Sequence, residues 1–170
     1  MHFELVQHVH GPLEAVESAF VDPAFLHQLG ALPKLGSPEL LDQTEEGNLV
    51  HQRLRYAFVG HLSPVVTRVV DPARLTWVEE STLDRTTHQT TWRIVPDNYA
   101  NLLEASGVIT LAPDAEGATV RRTEGDVRVG VPFVGRKVEA AIISGLQEHA
   151  ALEAEMVNQW VSSPPFPSGG

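Results

Sequence analysis

A chain of 170 residues with 42% apolar side chains is long enough to bury a core without disulfide staples, and it has no cysteine. Its formal charge of −10 argues against a nucleic-acid partner or an anionic membrane surface, since both need a basic face. No run of about 18 apolar residues occurs, so no segment is expected to insert stably into a membrane.

In chain order, Met1-His2-Phe3-Glu4 shows neither the basic opening nor the apolar block of a signal peptide. With no cysteine and no Asn-x-Ser/Thr sequon, that start leads us to expect a cytoplasmic protein. Residues 2–9 alternate as a strand should, with Phe3, Leu5 and Val9 on one face. Gly11-Pro12 ends it, and Leu13, Val16, Ala19 and Phe20 then recur at helical spacing. Asp22-Pro23 starts a second short helix, with Asp22 as its N-cap and Phe25, Leu26 and Leu29 facing inward.

From Gly36 to Phe58 the pattern becomes two strands joined at Glu46-Gly47-Asn48. The second arm places Val50, Leu54, Tyr56 and Phe58 on one face and His51, Arg53 and Arg55 on the other, as a half-buried antiparallel strand does. Residues 61–70 fit two descriptions. Ser63-Pro64 favours a short helix holding Val65, Val66, Val69 and Val70, the reading preferred here, whereas so many β-branched residues also suit a strand. Residues 74–84, 87–95, 101–111 and 118–131 are four more strands, each bounded by Asp, Gly, Pro or Asn clusters, and the short links between them predict an antiparallel meander.

Residues 131–160 contain no proline after Pro132 and span about seven helical turns. Val138, Ile142, Leu146, His149, Met156 and Trp160 fall on one side, flanked by Val134, Gly145, Leu152 and Val157. Pro164-Pro165 closes the helix, and residues 162–170 are expected to form a disordered Pro/Ser/Gly tail after one domain over 1–161. The order is strand, two helices, six strands, one long helix. This is an α+β chain in which a seven-stranded curved antiparallel sheet is covered by its last helix.

That order resembles the START-like superfamily of helix-grip proteins, which includes polyketide cyclase/dehydrase and lipid-transport proteins and the birch pollen allergen. Asp22-Pro23-Ala24-Phe25 and Val131-Pro132-Phe133-Val134-Gly135-Arg136-Lys137-Val138-Glu139 resemble a narrower bacterial family of that superfamily to which no function is assigned. The resemblance spans residues 2–160 and implies an apolar cavity between sheet and last helix. It implies no reaction, because the superfamily includes carriers, sensors and enzymes alike.

Several constellations bear on chemistry. Gly130 to Lys137 has the glycine spacing of a phosphate-binding loop, but Arg136 stands where lysine is required and Lys137 where the magnesium-binding hydroxyl is required. A turn from sheet edge to helix is the better reading. The eight histidines lack companion cysteines, clustered carboxylates or a His-Glu-x-x-His pair, so neither a metal nor any other cofactor is expected.

His149 lies near the centre of the apolar stripe, with Glu153 one turn on. It either points into a cavity, to bind a ligand or move a proton, or simply bonds a sheet side chain. Strict alternation from Val127, Val129 and Val131 brings Arg121 to the inner face. A bulge at Gly125 would turn it outward, and the bulge is the cheaper solution for an arginine with no partner in view. Tyr56, Phe58, Trp77 and Trp92 either line a pocket or fill a core. Glu79 and Glu104 are the strand carboxylates to consider for acid–base work, with Glu104 expected outside.

The sequence therefore predicts a binder of a small hydrophobic or amphipathic molecule, with Tyr56, Phe58, Trp77, Trp92, Gly145, His149 and Met156 as ligand-binding candidates. The alternatives are a cyclase- or hydrolase-type enzyme built on His149 and an interaction module without a cavity. The oligomeric state is not legible.

Overall fold

The computed structural model describes residues 1–32 and 38–163. Strand β1 (His2–Val9) is followed by helices α1 (Leu13–Ala19) and α2 (Pro23–Gln28), then β2 (Glu39–Glu46) and β3 (Leu49–Ala57). A one-turn helix α3 (Pro64–Thr67) precedes β4 (Thr76–Asp84), β5 (Gln89–Pro96), β6 (Leu103–Pro113) and β7 (Thr119–Val129), and α4 (Gly135–Ser162) comes last. Among the described residues the strands form one antiparallel, seven-stranded sheet in the order β1-β7-β6-β5-β4-β3-β2. The meander β2 to β7 pairs neighbour with neighbour, and β1 closes on the far side of β7.

Local chemistry explains the corners. The Asp22 carboxylate accepts a hydrogen bond from the Ala24 backbone N–H at 2.9 Å, with Pro23 opening α2 where its missing N–H costs nothing. Gly47 takes the left-handed conformation (φ 61°) that a two-residue β2–β3 turn demands. Residues 61–70 contain the expected helix, but it is a single turn, and Val65 and Val69 face solvent. The Pro164-Pro165 stop and the tail beyond it lie outside the described residues, as does the start of the Gly36–Phe58 stretch.

Helix α4 begins at Gly135, after residues 131–134 form the turn that leads off β7. A side chain at Gly135 would come within 2.4 Å of the Val129 carbonyl oxygen, so glycine is what allows the helix to start against the strand. The buried Glu139 carboxylate accepts from the Val129 backbone N–H at 2.9 Å and lies 3.8 Å from the chain's amino terminus. The glycine-bearing stretch 130–137 is thus a helix-anchoring turn.

The core is divided. One apolar cluster holds Val9, Val16, Phe25, Leu54 and Leu111 against the last turns of α4, where Val157 is fully buried and Leu152, Met156 and Trp160 pack beside it. Phe25 sits between Phe20 and Trp160, with ring centroids 5.5 Å from each. A second cluster, at the other end of the sheet, joins Phe3, Ala105 and Val127 to Trp92, Ile142 and Leu146. Fully burying one such side chain stabilises the fold by about 1.5–3 kcal/mol, so each cluster is a substantial anchor. Between the two, the inner face changes character.

Candidate functional site

Alternation along the strands decides which polar groups enter this middle zone. In β1 the inward sequence is Phe3, Leu5, Gln7, Val9, so an amide follows two apolar residues. Gln7 pairs in register with Arg121 of β7, and opposite residues of an antiparallel pair share a face. From the other layer, His149 and Glu153 descend from α4, one turn apart. In β3 and β4, Leu54 faces Glu79 and Tyr56 faces Trp77, which brings the Glu79 carboxyl and the Tyr56 hydroxyl to the same interior.

These groups bond to one another selectively. Arg121 Nη1 donates to Glu153 Oε1 at 3.0 Å and to the Gln7 side-chain oxygen, and its guanidinium lies 4.1 Å from the centre of the Phe20 ring. Gln7 Nε2 donates to the Ala150 carbonyl at 2.7 Å and to Glu153 Oε1 at 3.1 Å. His149 Nε2 lies 3.6 Å from Glu153 Oε2. Arg121 and Glu153 are each only 13% exposed in their side chains. The bulge expected at Gly125 is absent: β7 pairs without interruption with β1 and β6, and Arg121 is inside. The carboxylate that makes this tolerable comes from a different layer of the fold.

Other polar groups in this interior remain without a partner among the described residues. His149 Nδ1, Trp92 Nε1 and Gln52 Nε2 are buried and unbonded. Burial pushes the Glu79 carboxyl up to about 7, with Arg121 offsetting part of the effect and Glu153 adding to it. Burial would also raise Glu153, but the neighbouring Arg121 and the His149 ring more than reverse this and hold it at about 2. Burial, reinforced by Glu79, raises the Tyr56 phenol.

The candidate residues separate into groups. Tyr56 stacks on Trp77 (centroids 5.9 Å apart, planes 18°) beside Glu79, and His149 stands above the Arg121–Glu153 pair. Trp92 belongs to the second apolar cluster, 6.2 Å from Phe3, and Met156 packs into the first. Phe58, beyond the end of β3, folds over Gly60 and joins neither cluster. Gly145 is half-buried, and a methyl group placed there would touch nothing within 4 Å, so the flank of α4 next to His149 is open. Ile142, Ile143, Leu146 and His149 keep partial exposure on the sheet-facing side, where α4 residues in tight contact would be buried.

Gln7 escaped the sequence reading although the β1 alternation marks it. Glu104 is exposed, as expected. Among the described residues, no three His, Cys, Asp or Glu side chains gather as a metal site would require, and no helix is long and apolar enough to cross a membrane. Two open recesses lie elsewhere. One, of about 470 Å³, runs over the outer sheet face along His51, Arg53, Glu80, Thr82 and Arg93, where Glu80 is already paired with Arg53 and Arg93. The other, of about 360 Å³, follows the β1 edge beside Gln147 and Ala151. Gln52 and Trp92 also line the first, but its walls are mostly charges that neutralise each other, so the polar interior is the better candidate.

The chain belongs to the family described as "Protein of unknown function (DUF2505)", whose model matches residues 4–161. No curated protein matches it in sequence. Among solved structures it is similar to TTHA0849 from Thermus thermophilus, with TM-score 0.69, 16% identity, and 96% of this chain and 100% of that one covered. It is similar to the Zhui aromatase/cyclase from Streptomyces sp. R1128, with TM-score 0.64, 15% identity, and 100% and 98% covered. It is also similar to norcoclaurine synthase from Thalictrum flavum, with TM-score 0.60, 18% identity, and 96% and 86% covered. At these identities the likeness establishes the helix-grip fold, in agreement with the element order, and leaves function to the site.

Proposed function

We propose that this member of the DUF2505 family binds a small amphipathic molecule between its sheet and α4. The polar end sits among Tyr56, Glu79 and His149, and the apolar part extends over Trp77 and Trp92 and under the open flank of α4 at Gly145. One observation carries this reading: polar groups held in a largely apolar interior without protein partners. A buried donor or acceptor left unbonded costs about 1–3 kcal/mol, and a bound molecule that bonds to it removes that cost. Apolar ligand area adds roughly 25 cal/mol per Å² removed from water, so a modest molecule suffices for micromolar affinity.

Solvent extraction of the natively purified protein followed by mass spectrometry tests the proposal, together with titration by an environment-sensitive apolar fluorophore. A stoichiometric small amphipath and saturable fluorophore binding are expected. An extract free of small molecules combined with no saturable binding would overturn it.

A second reading is favoured by one specific feature, the Glu79 carboxyl at about 7 beside Tyr56. A group that titrates near working pH is suited to general acid–base catalysis. In that case Glu79, rather than the histidine singled out from the sequence, exchanges a proton with the bound molecule. Glu79→Gln would then abolish turnover while fluorophore binding persists.

A further inference from the structure

Once the bonds within the interior cluster are counted, what it still offers is mostly acceptors. Arg121 is committed to Glu153 and Gln7 and lies over the Phe20 ring. The Gln7 amide donates to Ala150 and Glu153. In the neutral ring His149 Nε2, which faces the Glu153 carboxylate, carries the proton, and the buried, unbonded Nδ1 is an acceptor. The Glu79 carboxyl has no hydrogen-bond partner among the described residues, and neither has the Tyr56 hydroxyl. Two buried donors are also open, Trp92 Nε1 in the Phe3 cluster and Gln52 Nε2 on the inner face of β3.

Charge points the same way. Arg121 and Glu153 neutralise each other at 3.0 Å, so with a neutral His149 ring the charge of an ionised Glu79 is unbalanced. The groups whose charges reach Glu79 are Arg121 from β7 and Glu153 and His149 from α4, and its own charge reaches Tyr56 on β3. Trp77 is two residues along the same strand and face, stacked on Tyr56, and aromatic faces attract cations.

Resting on the ligand-binding reading above, we infer that the polar end of the ligand is a protonated amine, seated on Glu79 with further hydrogen bonds to His149 Nδ1 and the Tyr56 hydroxyl. An ammonium brings three donors and one positive charge, which matches the Glu79 carboxylate and the acceptors at Tyr56 and His149 Nδ1. A carboxylate or phosphate would meet Glu79 and find Arg121 already engaged. An alcohol brings one donor and leaves the charge unbalanced.

The test is calorimetric titration of the full chain with n-octylamine, n-octanol and n-octanoate, which share an apolar body and differ at the head. Octylamine is expected to bind at least about tenfold more tightly than octanol, with octanoate weakest. Just below neutral pH its binding should release protons, seen as a dependence of the heat on buffer ionisation, because pairing ionises Glu79. Glu79→Gln should abolish both the preference and the proton release. Octanol or octanoate binding as tightly as octylamine, or amine binding without proton release, overturns the amine and leaves the ligand-binding reading standing. Failure of all three to bind while the fluorophore still binds overturns the amine alone, and failure of all three together with a clean extract and no saturable fluorophore binding overturns both.

Discussion

Arg121 of β7 and Glu153 of α4 meet at 3.0 Å between sheet and helix, and each is almost fully enclosed. The pair links the two layers at the point where the apolar core is interrupted, and it sets the electrostatics of everything around it. Removing one partner leaves the other charged and buried, which costs about 3–5 kcal/mol, whereas replacing both with apolar residues of similar volume is close to neutral. Arg121→Met should therefore lower the stability measured by urea unfolding by that amount, and Arg121→Met combined with Glu153→Leu should recover most of it. A double variant as unstable as the single one would show that the pair is not coupled.

Stability should pass through a maximum near pH 4.5, because two buried carboxyls move in opposite directions from their ordinary value of 4.5. Glu79 is raised to about 7, so between 4.5 and 7 the folded state binds more protons than the unfolded one, and stability falls as pH rises through that window. Glu153 is lowered to about 2, so its contribution is present above 4.5 and is lost as pH falls towards 2. Each limb amounts to roughly 3 kcal/mol. Glu79→Gln should flatten the upper limb and leave the lower one, as read by unfolding free energies across pH.

The contrast between Arg121 and the sheet that carries it shows what the sequence makes legible. Strand alternation and the helical stripe gave the seven strands and α4, because period is a property of neighbours in the chain. The face taken by Arg121 depended on Glu153, which lies 32 residues away and in another layer, so a lone arginine looked cheaper outside. The same limit applied to Gly125. Its position suggested a bulge, whereas its actual role is to make room for a tryptophan two strands away.

That role can be tested. The Trp92 ring lies over Gly107 and Gly125, and a methyl at Gly125 would come within 2.6 Å of it and 2.8 Å of the Ser106 carbonyl oxygen. Overpacking of this kind costs about 1–3 kcal/mol. Gly125→Ala should show that loss in thermal unfolding, and Trp92→Leu in the same chain should restore part of it. At Gly107 the methyl would meet the Glu124 carbonyl oxygen at 2.0 Å, so the same rescue should fail there.

Phe133, in the turn before α4, combines full exposure with a left-handed backbone (φ 66°). A non-glycine residue in that conformation costs about 1–2 kcal/mol, and here no side-chain packing offsets it. Phe133→Gly should therefore raise the urea midpoint by a shift worth up to about 1 kcal/mol, since glycine's greater freedom in the unfolded chain takes back part of the gain. A loss of stability would mean that the ring makes contacts in solution.

Gly145 separates stability from binding. It sits inside α4, where glycine costs about 1 kcal/mol relative to alanine, and it faces open space. Gly145→Ala should stabilise the protein by about that amount while fluorophore binding persists, since one methyl fills little of the opening. Gly145→Trp occupies the space beside His149 with an indole, so it should fold, melt no lower than the wild type, and lose saturable binding of the fluorophore and of octylamine. A stable Gly145→Trp variant that binds both as tightly as the wild type would place the ligand elsewhere and remove this flank of α4 from the site.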